Sequence, residues 1–233
     1  MFEYMLWLRE TDSTQLRVRE WSLPCGSVVV ADRQKEGKGR KGRRWESQEG
    51  GLYFSFVLCE EDFSNYLQLP LVCGLALSKF LDSSGFHSSI KWPNDVYIRG
   101  RKIAGILVEK MKEIIAVGVG LNVNQKELPP DLRDKATSMK IESGRTYNRR
   151  EVILNLLDFL NRELRRYREE GFRKIREEID EKLLFKDEEV VLISEKPEAG
   201  ILLGIDKEGF LLLQTAEGVK NIPAGEVSLR PRL

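Results

Sequence analysis

The sequence is poor in histidine and cysteine, and these shortages exclude several classes of site. Its 233 residues include one histidine, His87, and three widely spaced cysteines, Cys25, Cys59 and Cys73. A single histidine excludes a zinc site built from several histidines. The odd number of cysteines and the lack of a CxxC pair argue against a disulfide framework, so we expect a protein of the reducing cytoplasm.

Long apolar runs and an excess of one charge are also missing. No stretch approaches the roughly 18 apolar residues of a membrane-spanning helix, and the N-terminus lacks the basic segment of a secretory signal. The 38 Lys+Arg and 37 Asp+Glu residues give a formal net charge of +1. That balance excludes binding to nucleic acid through bulk positive charge. We therefore expect neither a membrane nor a DNA partner.

Apolar residues, 41% of the chain, follow patterns that predict an α+β fold in two parts. Beyond Lys186, short apolar runs are divided by glycine and proline, which is typical of a small β-barrel or sandwich. We therefore predict domains at 1–185 and 186–233. The alternation from Leu52 to Leu58 predicts a strand with a strong core face. Helices are predicted over residues 15–21, 69–81 and 148–167, and strands over 6–8, 27–31, 52–59, 96–98, 103–109, 114–119, 190–193, 201–205, 210–215 and 219–222, with a further strand at Ile90.

Positive charge is concentrated in one glycine-rich segment, residues 33–44, which we call the basic loop. Its seven basic residues and one acidic residue give a local charge of +6, with glycines at 37, 39 and 42 and Trp45 directly after it. Glycines let the backbone approach an anion closely, and Arg and Lys side chains bind phosphate oxygens. The residue order differs from a P-loop and from the dinucleotide-binding fingerprint. An anion-binding loop, a loop for single-stranded nucleic acid and a solvated loop all remain open.

Three other segments place polar residues at the ends of predicted elements. Residues 91–95 (KWPND) form a turn that supplies a lysine, an amide and a carboxylate after a strand. The hairpin that turns at Arg99 would bring Lys102 back beside that turn. Residues 118–122 (GVGLN) end another strand with two glycines and an amide, and residues 11–14 (TDST) suit a helix cap. Each segment is common by itself.

Together with the basic loop, these segments resemble the biotin–protein ligases, or biotin–[acetyl-CoA-carboxylase] ligases, over nearly the whole chain. The matching segments occur in the family's order. They are TDST (11–14), GKGRKGR (37–43) with Trp45, KWPND (91–95), GRKIAGI (100–106) and GVGLN (118–122). The resemblance implies a mixed β-sheet flanked by helices, related to class II aminoacyl-tRNA synthetases, with a small C-terminal SH3-like β-barrel.

The chain departs from the family pattern in two places. Many members have arginine where this chain has Lys38, which keeps the charge and loses a planar, bidentate side chain. Some bacterial members begin with a helix-turn-helix domain that represses transcription, and Thr11 lies too near the N-terminus for one. We therefore expect the short form of the enzyme, and the resemblance implies a homodimer.

The resemblance implies an ATP-dependent ligase with two half-reactions. The carboxylate of biotin attacks the α-phosphorus of ATP, giving biotinyl-5′-AMP and pyrophosphate, and a lysine of a biotin carboxyl carrier protein then attacks the mixed anhydride. Lys102, Arg40 and Asp95 are the expected catalytic residues, because cations must offset the repulsion between a carboxylate and ATP. Asp95 is a candidate base, orienting group or Mg²⁺ ligand, the last directly or through water. Biotin, ATP and Mg²⁺ are expected, without a tightly bound prosthetic group.

Family position also assigns residues to the two halves of the intermediate. Ser13, Thr14 and Gln34 would hydrogen-bond the ureido head of biotin, and Trp45 would stack on the purine or pack over it. The full biotin-binding set is Ser13, Thr14, Gln34, Gly37, Lys38, Lys102 and Gly105. The adenylate-binding set is Arg40, Arg43, Trp45, Asn94, Lys102 and Asn122.

Two other functions are alternatives to a biotin–protein ligase. A lipoate–protein ligase shares the fold and the acyl-adenylate chemistry, although the spelling of KWPND and of the basic loop favours biotin. A module that binds single-stranded nucleic acid would use the basic loop and Trp45. The balanced net charge counts against that second alternative.

Overall fold

The computed structural model describes residues 1–63, 65–193, 197–224 and 228–231. Within those residues the chain forms two β-sheets and five α-helices. The strands of the first sheet are β1 (Tyr4–Leu8), β2 (Ser27–Ala31), β3 (Leu52–Cys59), β4 (Ser88–Lys91), β5 (Asp95–Ile98), β6 (Arg101–Met111) and β7 (Ile114–Leu121). Those of the second are β8 (Glu189–Ile193), β9 (Glu198–Ile205), β10 (Leu211–Thr215), β11 (Gly218–Ile222) and β12 (Ser228–Pro231). The helices are α1 (Thr14–Glu20), α2 (Leu69–Ser83), α3 (Met139–Ser143), α4 (Arg149–Glu170) and α5 (Arg173–Glu181).

The larger sheet has seven strands in the order β1-β2-β3-β7-β6-β5-β4. Strands β1 and β2 run parallel, whereas the other neighbours are antiparallel. The predicted mixed sheet is therefore confirmed. Strands β3, β7 and β6 lie at its centre, and β1 forms one edge.

Helices cover both faces of this sheet. Helix α2 is buried along most of its length because it packs between α4 and the strands β4, β5 and β6. Helix α4 is amphipathic and buries Leu156, Leu160 and Leu164 at helical spacing. On the opposite face, α1 packs on β3 and β7. Among the described residues, no helix combines the length and apolar composition needed to cross a bilayer.

Strand β3 has the predicted core face, and its other face is buried as well. Phe54 and Phe56 belong to the main core, whereas Val57 packs with Val18 of α1 and Ala116 of β7 in a smaller cluster. Helix α1 covers the face that the alternating pattern left open. A polar residue of β3 on that face, Ser55, is therefore buried beneath α1.

The second sheet has five antiparallel strands in the order β11-β10-β9-β8-β12. It confirms the predicted small C-terminal β domain, and the four predicted strands correspond to β8, β9, β10 and β11. Helix α5, which precedes this sheet, was not predicted. It is rich in charge and has only Ile175 and Ile179 as buried residues, too few for a visible apolar period.

A turn at residues 206–210 joins the second sheet to the first. The indole Nε1 of Trp92 donates a hydrogen bond to the carbonyl of Gly209 at 3.0 Å, and Gln68 Nε2 donates to the carbonyl of Glu208 at 3.0 Å. Trp92 is 2% exposed. The KWPND turn, which joins β4 to β5 in the first sheet, therefore also contacts the C-terminal sheet.

Two of the cysteines are paired, so the prediction of no disulfide was wrong. Cys25 and Cys59 form a disulfide across 34 residues of sequence, with their Cα atoms 5.4 Å apart. Cys25 lies just before β2 and Cys59 ends β3, and the antiparallel pairing of these strands brings the two positions together. Cysteine spacing alone does not reveal a pair that depends on sheet register. Cys73 is a buried free thiol, and burial raises its pKa.

Loss of the Cys25–Cys59 disulfide should lower stability without changing the fold. A cross-link that closes a loop of this size stabilises a protein by about 3–4 kcal/mol in the chain-entropy model. We expect a reductant to lower the free energy of unfolding of the wild type by that amount, measured by urea denaturation. The Cys25→Ser/Cys59→Ser double variant should have the lower value with and without reductant. Equal stability of this variant and the oxidised wild type would contradict the disulfide.

Candidate active site

A cavity of about 270 Å³ opens where α1, the basic loop and the strands β5, β6 and β7 meet. All of the residues predicted to bind or catalyse, except Gly37, line it. They are Ser13, Thr14, Gln34, Lys38, Arg40, Arg43, Trp45, Asn94, Asp95, Lys102, Gly105 and Asn122. Gly37 packs behind this wall, where a side chain would collide with Ser47 and with the carbonyl of Trp45.

The basic loop folds back on itself and presents its arginines to the cavity. The backbone N–H of Gly39 donates to the carbonyl of Arg43 at 2.7 Å, and that of Trp45 donates to the carbonyl of Gly37 at 2.8 Å. This tight turn places Arg40 and Arg43 together in the lining. The local positive charge of the sequence thus becomes a positive wall of the cavity.

The indole of Trp45 lies on two glycines that pair across adjacent strands. Gly105 of β6 is opposite Gly120 of β7, and a Cβ at Gly120 would lie 2.4 Å from the Trp45 ring. Within the described part of the chain, the buried Nε1 of Trp45 has no hydrogen-bond partner. A buried donor left in that state is costly unless water or a ligand supplies an acceptor.

Lys102 is held beside Asp95 by an irregular hairpin. Its Nζ lies 2.7 Å from Asp95 Oδ1 and 5.0 Å from the centre of the Trp45 ring, a cation–π distance. The register of β5 and β6 shifts between Val96 and Tyr97, so β6 carries one extra residue. Because side chains alternate along a strand, Lys102 would face the other side of the sheet without this bulge.

Arg40 joins the basic loop to the KWPND turn. Its Nη1 donates to Asn94 Oδ1 at 2.8 Å, and Asn94 Nδ2 donates to the carbonyl of Ile106 at 2.9 Å. Burial lowers the pKa of Arg40, an effect that Arg43 reinforces and Asp95 opposes. Arginine nevertheless stays protonated in proteins. The cavity therefore contains a partly buried cation, whose field acts more strongly than it would in water.

Neutral polar side chains from α1, β3 and the segment after β2 form another part of the lining. The backbone N–H of Thr14 donates to Gln34 Oε1 at 2.8 Å, and Thr14 Oγ1 lies 2.8 Å from Ser55 Oγ. Gln15 donates to a backbone carbonyl of β7 at 3.2 Å, while its buried Oε1 has no partner among the described residues. Ser13 is 1% exposed. This set suits an uncharged ligand that carries both donors and acceptors.

Asn122 is held in one orientation by a buried network. Its Nδ2 donates to the carbonyl of Thr137 at 2.9 Å, and its Oδ1 accepts from Gln125 Nε2 at 3.1 Å. Gln125 Nε2 also donates to the hydroxyl of Tyr53 at 3.1 Å, which in turn donates to the carbonyl of Gln48. Burial raises the pKa of Tyr53, so the phenol stays neutral. Both ends of the Asn122 amide are therefore bonded to the protein.

Several lining residues were missed by the sequence reasoning. Gln15 and Ser55 are buried polar side chains of the cavity wall, and both carried a signal, because one follows TDST and the other interrupts an apolar strand. Leu128, Leu132 and Ala136 also line the cavity. They belong to the segment that follows β7 and pairs with Lys102 of β6. No pattern in the sequence predicts this pairing.

The carboxylates of the lining are Asp95 and Glu46. The described residues contain no group of three or more His, Cys, Asp or Glu that could hold a metal ion. Mg²⁺ commonly binds through one or two carboxylates together with water and substrate phosphates. Asp95 among these cations therefore fits an ion that arrives with a nucleotide.

Comparison with known proteins agrees with this geometry. Residues 7–125 match the model of the biotin/lipoate A/B protein ligase family. The chain belongs to that family. Residues 187–230 of this ligase-family protein match the model of the biotin protein ligase C-terminal domain, which accounts for the second sheet.

Relatives of this ligase-family protein align over most of its length. It is 34% identical to the bifunctional ligase/repressor BirA of Bacillus subtilis, over 95% of this chain and 72% of that protein. It is 31% identical to the biotin–[acetyl-CoA-carboxylase] ligase of Paracoccus denitrificans, over 94% and 98%. The structure of the biotin protein ligase from Aquifex aeolicus in complex with biotin and ATP superposes with a TM-score of 0.95, at 44% identity over 99% and 100% of the two chains.

A side chain at Gly120 should displace Trp45 from the cavity wall. The overlap with the indole is too severe for small adjustments, so we expect Gly120→Ala to expose Trp45 and to lower stability by about 1–3 kcal/mol. Acrylamide quenching of tryptophan fluorescence should increase. Gly74→Ala is a suitable control, because its Cβ would contact only Ile90, at 3.6 Å. Unchanged quenching in folded Gly120→Ala would contradict the placement of Trp45.

Proposed function

We propose that this protein is an ATP-dependent biotin–[acetyl-CoA-carboxylase] ligase. It converts biotin and ATP to biotinyl-5′-AMP and pyrophosphate, and transfers the biotinyl group to a lysine of a biotin carboxyl carrier protein as an amide, with release of AMP. The observation that carries the proposal is the meeting, in one cavity, of cations around Lys102 and neutral polar groups around Thr14. The first group suits a carboxylate with phosphates, and the second suits a ureido ring. The relatives, one of them solved with biotin and ATP, support the assignment.

The cations serve the first half-reaction, in which a carboxylate approaches a polyanion. An oxygen of biotin forms a bond to the α-phosphorus as the bond to pyrophosphate breaks. Arg40, Arg43 and Lys102 are in place beforehand, and preorganised charges of this kind stabilise the transition state without reorganisation. Lys102 is the residue that bridges the carboxylate and the α-phosphate as the negative charge shifts between them.

The neutral polar residues recognise the head of biotin. Ser13, Thr14 and Gln34 hydrogen-bond the ureido group, and Gln15 Oε1, which has no partner among the described residues, is an acceptor for a ureido N–H. A ligand that left one of these buried groups unpaired would lose about 1–3 kcal/mol. The pocket therefore discriminates against acids without a ureido ring.

The remaining candidates are assigned to the acyl phosphate and the nucleotide. Lys38 and Gly105 lie along the valeryl chain and acyl phosphate, with Gly37 supporting the backbone behind them. The adenylate contacts Arg40, Arg43, Trp45, Asn94 and Asn122. Trp45 Nε1, which finds no acceptor in the described part of the chain, is a donor available to that ligand.

Asp95 acts in the second half-reaction. The carrier lysine must lose a proton to attack the anhydride, because a free lysine has a pKa near 10.4. The Asp95 carboxylate accepts that proton or orients the amine. Asp95 would also hold Mg²⁺, which supplies charge neutralisation on the phosphates when it is bound.

Side-by-side ATP–pyrophosphate exchange with biotin and with lipoate tests the function. We expect exchange that depends on biotin, and mass spectrometry should detect bound biotinyl-5′-AMP. Exchange with lipoate alone would show a lipoate–protein ligase instead. Salt-sensitive binding to oligonucleotides without biotin-dependent exchange would favour the nucleic-acid-binding alternative.

Lys102→Ala should nearly abolish adenylate formation while the fold is retained. Removal of one charge-stabilising group from an active site costs about 10²–10³ in rate, and Lys102 is 28% exposed, outside the apolar core. The rate of pyrophosphate exchange measures the loss. Lys110→Ala is the matched control, because Lys110 lies on the same strand and pairs with Glu60 away from the cavity. Near-normal exchange in folded Lys102→Ala would refute its assigned role.

We also propose that two copies form a homodimer through the edge strand β1. Tyr4, Met5 and Leu6 of this strand are 64%, 46% and 46% exposed, and an apolar strand edge tends to pair with another chain. A two-fold axis perpendicular to the sheet pairs residues whose side chains lie on the same face. Because side chains alternate along a strand, the numbers of two paired residues are then both odd or both even. The register centred on Leu6 places Glu3 of one copy opposite Arg9 of the other, twice.

Charge reversal tests this dimer. Glu3→Arg and Arg9→Glu each place like charges opposite one another, so analytical ultracentrifugation should show each variant shifted towards monomer. The double variant Glu3→Arg/Arg9→Glu restores both ion pairs and should dimerise like the wild type. A monomeric wild type, or single variants that dimerise normally, would refute the β1 interface.

We further propose a division into two domains and a location in the cytoplasm. We divide the chain into a catalytic domain, 1–185, and a C-terminal domain, 186–233, supported by the start of the second sheet at Glu189. We place the protein in the cytoplasm. Its disulfide suits a heat-adapted organism, because intracellular disulfides persist in hyperthermophiles, and a charged-residue content of 32% is in keeping with that.

A further inference from the structure

Arg149, the first residue of α4, contacts both ends of the segment that carries the basic loop. Its Nη2 lies 2.9 Å from Asp32 Oδ1, and its Nη1 donates to the carbonyl of Gly51 at 3.0 Å. Asp32 directly precedes the basic loop, and Gly51 directly precedes β3. One guanidinium therefore spans the two points where residues 33–50 leave the sheet and return to it.

The position of Arg149 is electrostatically unfavourable for the helix. The N-terminal end of a helix carries a partial positive charge, so a cation in the first turn is destabilising. Asp32 offsets that charge, and the same Oδ1 accepts a hydrogen bond from Trp7 Nε1 at 2.9 Å. The arginine side chain is 22% exposed and lies over the Trp7 ring at 6.0 Å. We therefore attribute the role of Arg149 to its contacts with Asp32 and Gly51, and not to stabilisation of α4.

The Gly51 end of this contact leads to the cavity wall. A Cβ at Gly51 would lie 2.7 Å from Gln125 Nε2 and closer still to the Tyr53 hydroxyl, so the backbone there is packed directly on the network of Asn122. Gln125 Nε2 in turn bonds Asn122 Oδ1. Arg149 thus connects the start of the basic loop with the part of the wall that holds Asn122.

We propose that Arg149 is a positioning residue that fixes both ends of residues 33–50, so that the basic loop closes over the acyl adenylate as one unit and retains it. This inference rests on the proposed function, because the loop shields a hydrolysable anhydride only if the protein makes one. Arg149 does not line the cavity and touches no reacting atom.

Arg149→Gln tests the proposal by removing the charge and one arm of the contact. Loss of a charge-assisted hydrogen bond changes an equilibrium by roughly tenfold to hundredfold. We expect biotinyl-5′-AMP to leave the enzyme faster by that factor, measured by rapid dilution with mass spectrometric detection. The KM for biotin should rise, while the rate of pyrophosphate exchange at saturating biotin should change by less than about threefold. A lesion that merely destabilised the fold would lower all of these activities together.

Arg150→Gln is the matched control. It removes the same charge from the same helical turn, and Arg150 is exposed to solvent. Arg149→Lys can keep the ion pair with Asp32 but cannot reach both ends, so it should release the adenylate at an intermediate rate. Asp32→Asn combined with Arg149→Gln should be less than additive, because both changes remove the same ion pair.

Limited trypsin digestion gives a reading that does not depend on catalysis. In the ligand-free protein, Arg149→Gln should be cut faster within residues 33–44 than the wild type or Arg150→Gln, with cleavage elsewhere unchanged. Adenylate release and loop cleavage at wild-type rates in folded Arg149→Gln would overturn the inference. A wild type that makes no biotinyl-5′-AMP would instead overturn the proposed function, and the digestion would still decide whether Arg149 fixes the loop.

Discussion

The cavity exists because two residues that face each other in the middle of the sheet have no side chains. Gly105 and Gly120 pair across β6 and β7, and the space that two Cβ atoms would fill is occupied by the indole of Trp45. That ring carries the end of the basic loop down onto the sheet. It also provides the aromatic face on which the Lys102 ammonium rests. The position of the basic loop and that of Lys102 therefore both depend on the absence of side chains at Gly105 and Gly120.

The second constraint is electrostatic. Arg40, Arg43 and Lys102 are held in one cavity that includes few carboxylates, an arrangement that repulsion would disperse in a free chain. The fold holds Arg40 through Asn94, which accepts a hydrogen bond from it, and holds Lys102 through Asp95, which forms an ion pair with it. Both partners belong to the KWPND turn. This turn thus gathers the positive charge contributed by two separate parts of the sequence.

Most of the fold could be predicted from the sequence, and nearly all of the predicted site residues line the cavity, whereas about half of the lining was not predicted. The central strands have continuous apolar runs, and the site residues were assigned because the five motifs, in their order, resemble those of the biotin–protein ligases. The bulge that turns Lys102 towards Asp95 was not predictable, because it depends on register within β5 and β6. The Cys25–Cys59 pair was missed for a similar reason, since it depends on how β2 and β3 align. Ser55 was overlooked because α1 buries a face of β3 that the pattern left open.

The contact between Trp92 and Gly209 limits how far this protein can be reduced in size. A shortened version that ended before the C-terminal sheet would leave the indole N–H of Trp92 without its acceptor, within the same turn that holds Asn94. Gly209 also packs against Leu71 and Phe172, which precede the second sheet in the chain, and both would become more exposed. The second sheet is therefore not structurally independent of the first. Protein engineers who want a minimal labelling enzyme from this scaffold would have to redesign that surface and could not simply delete the second sheet.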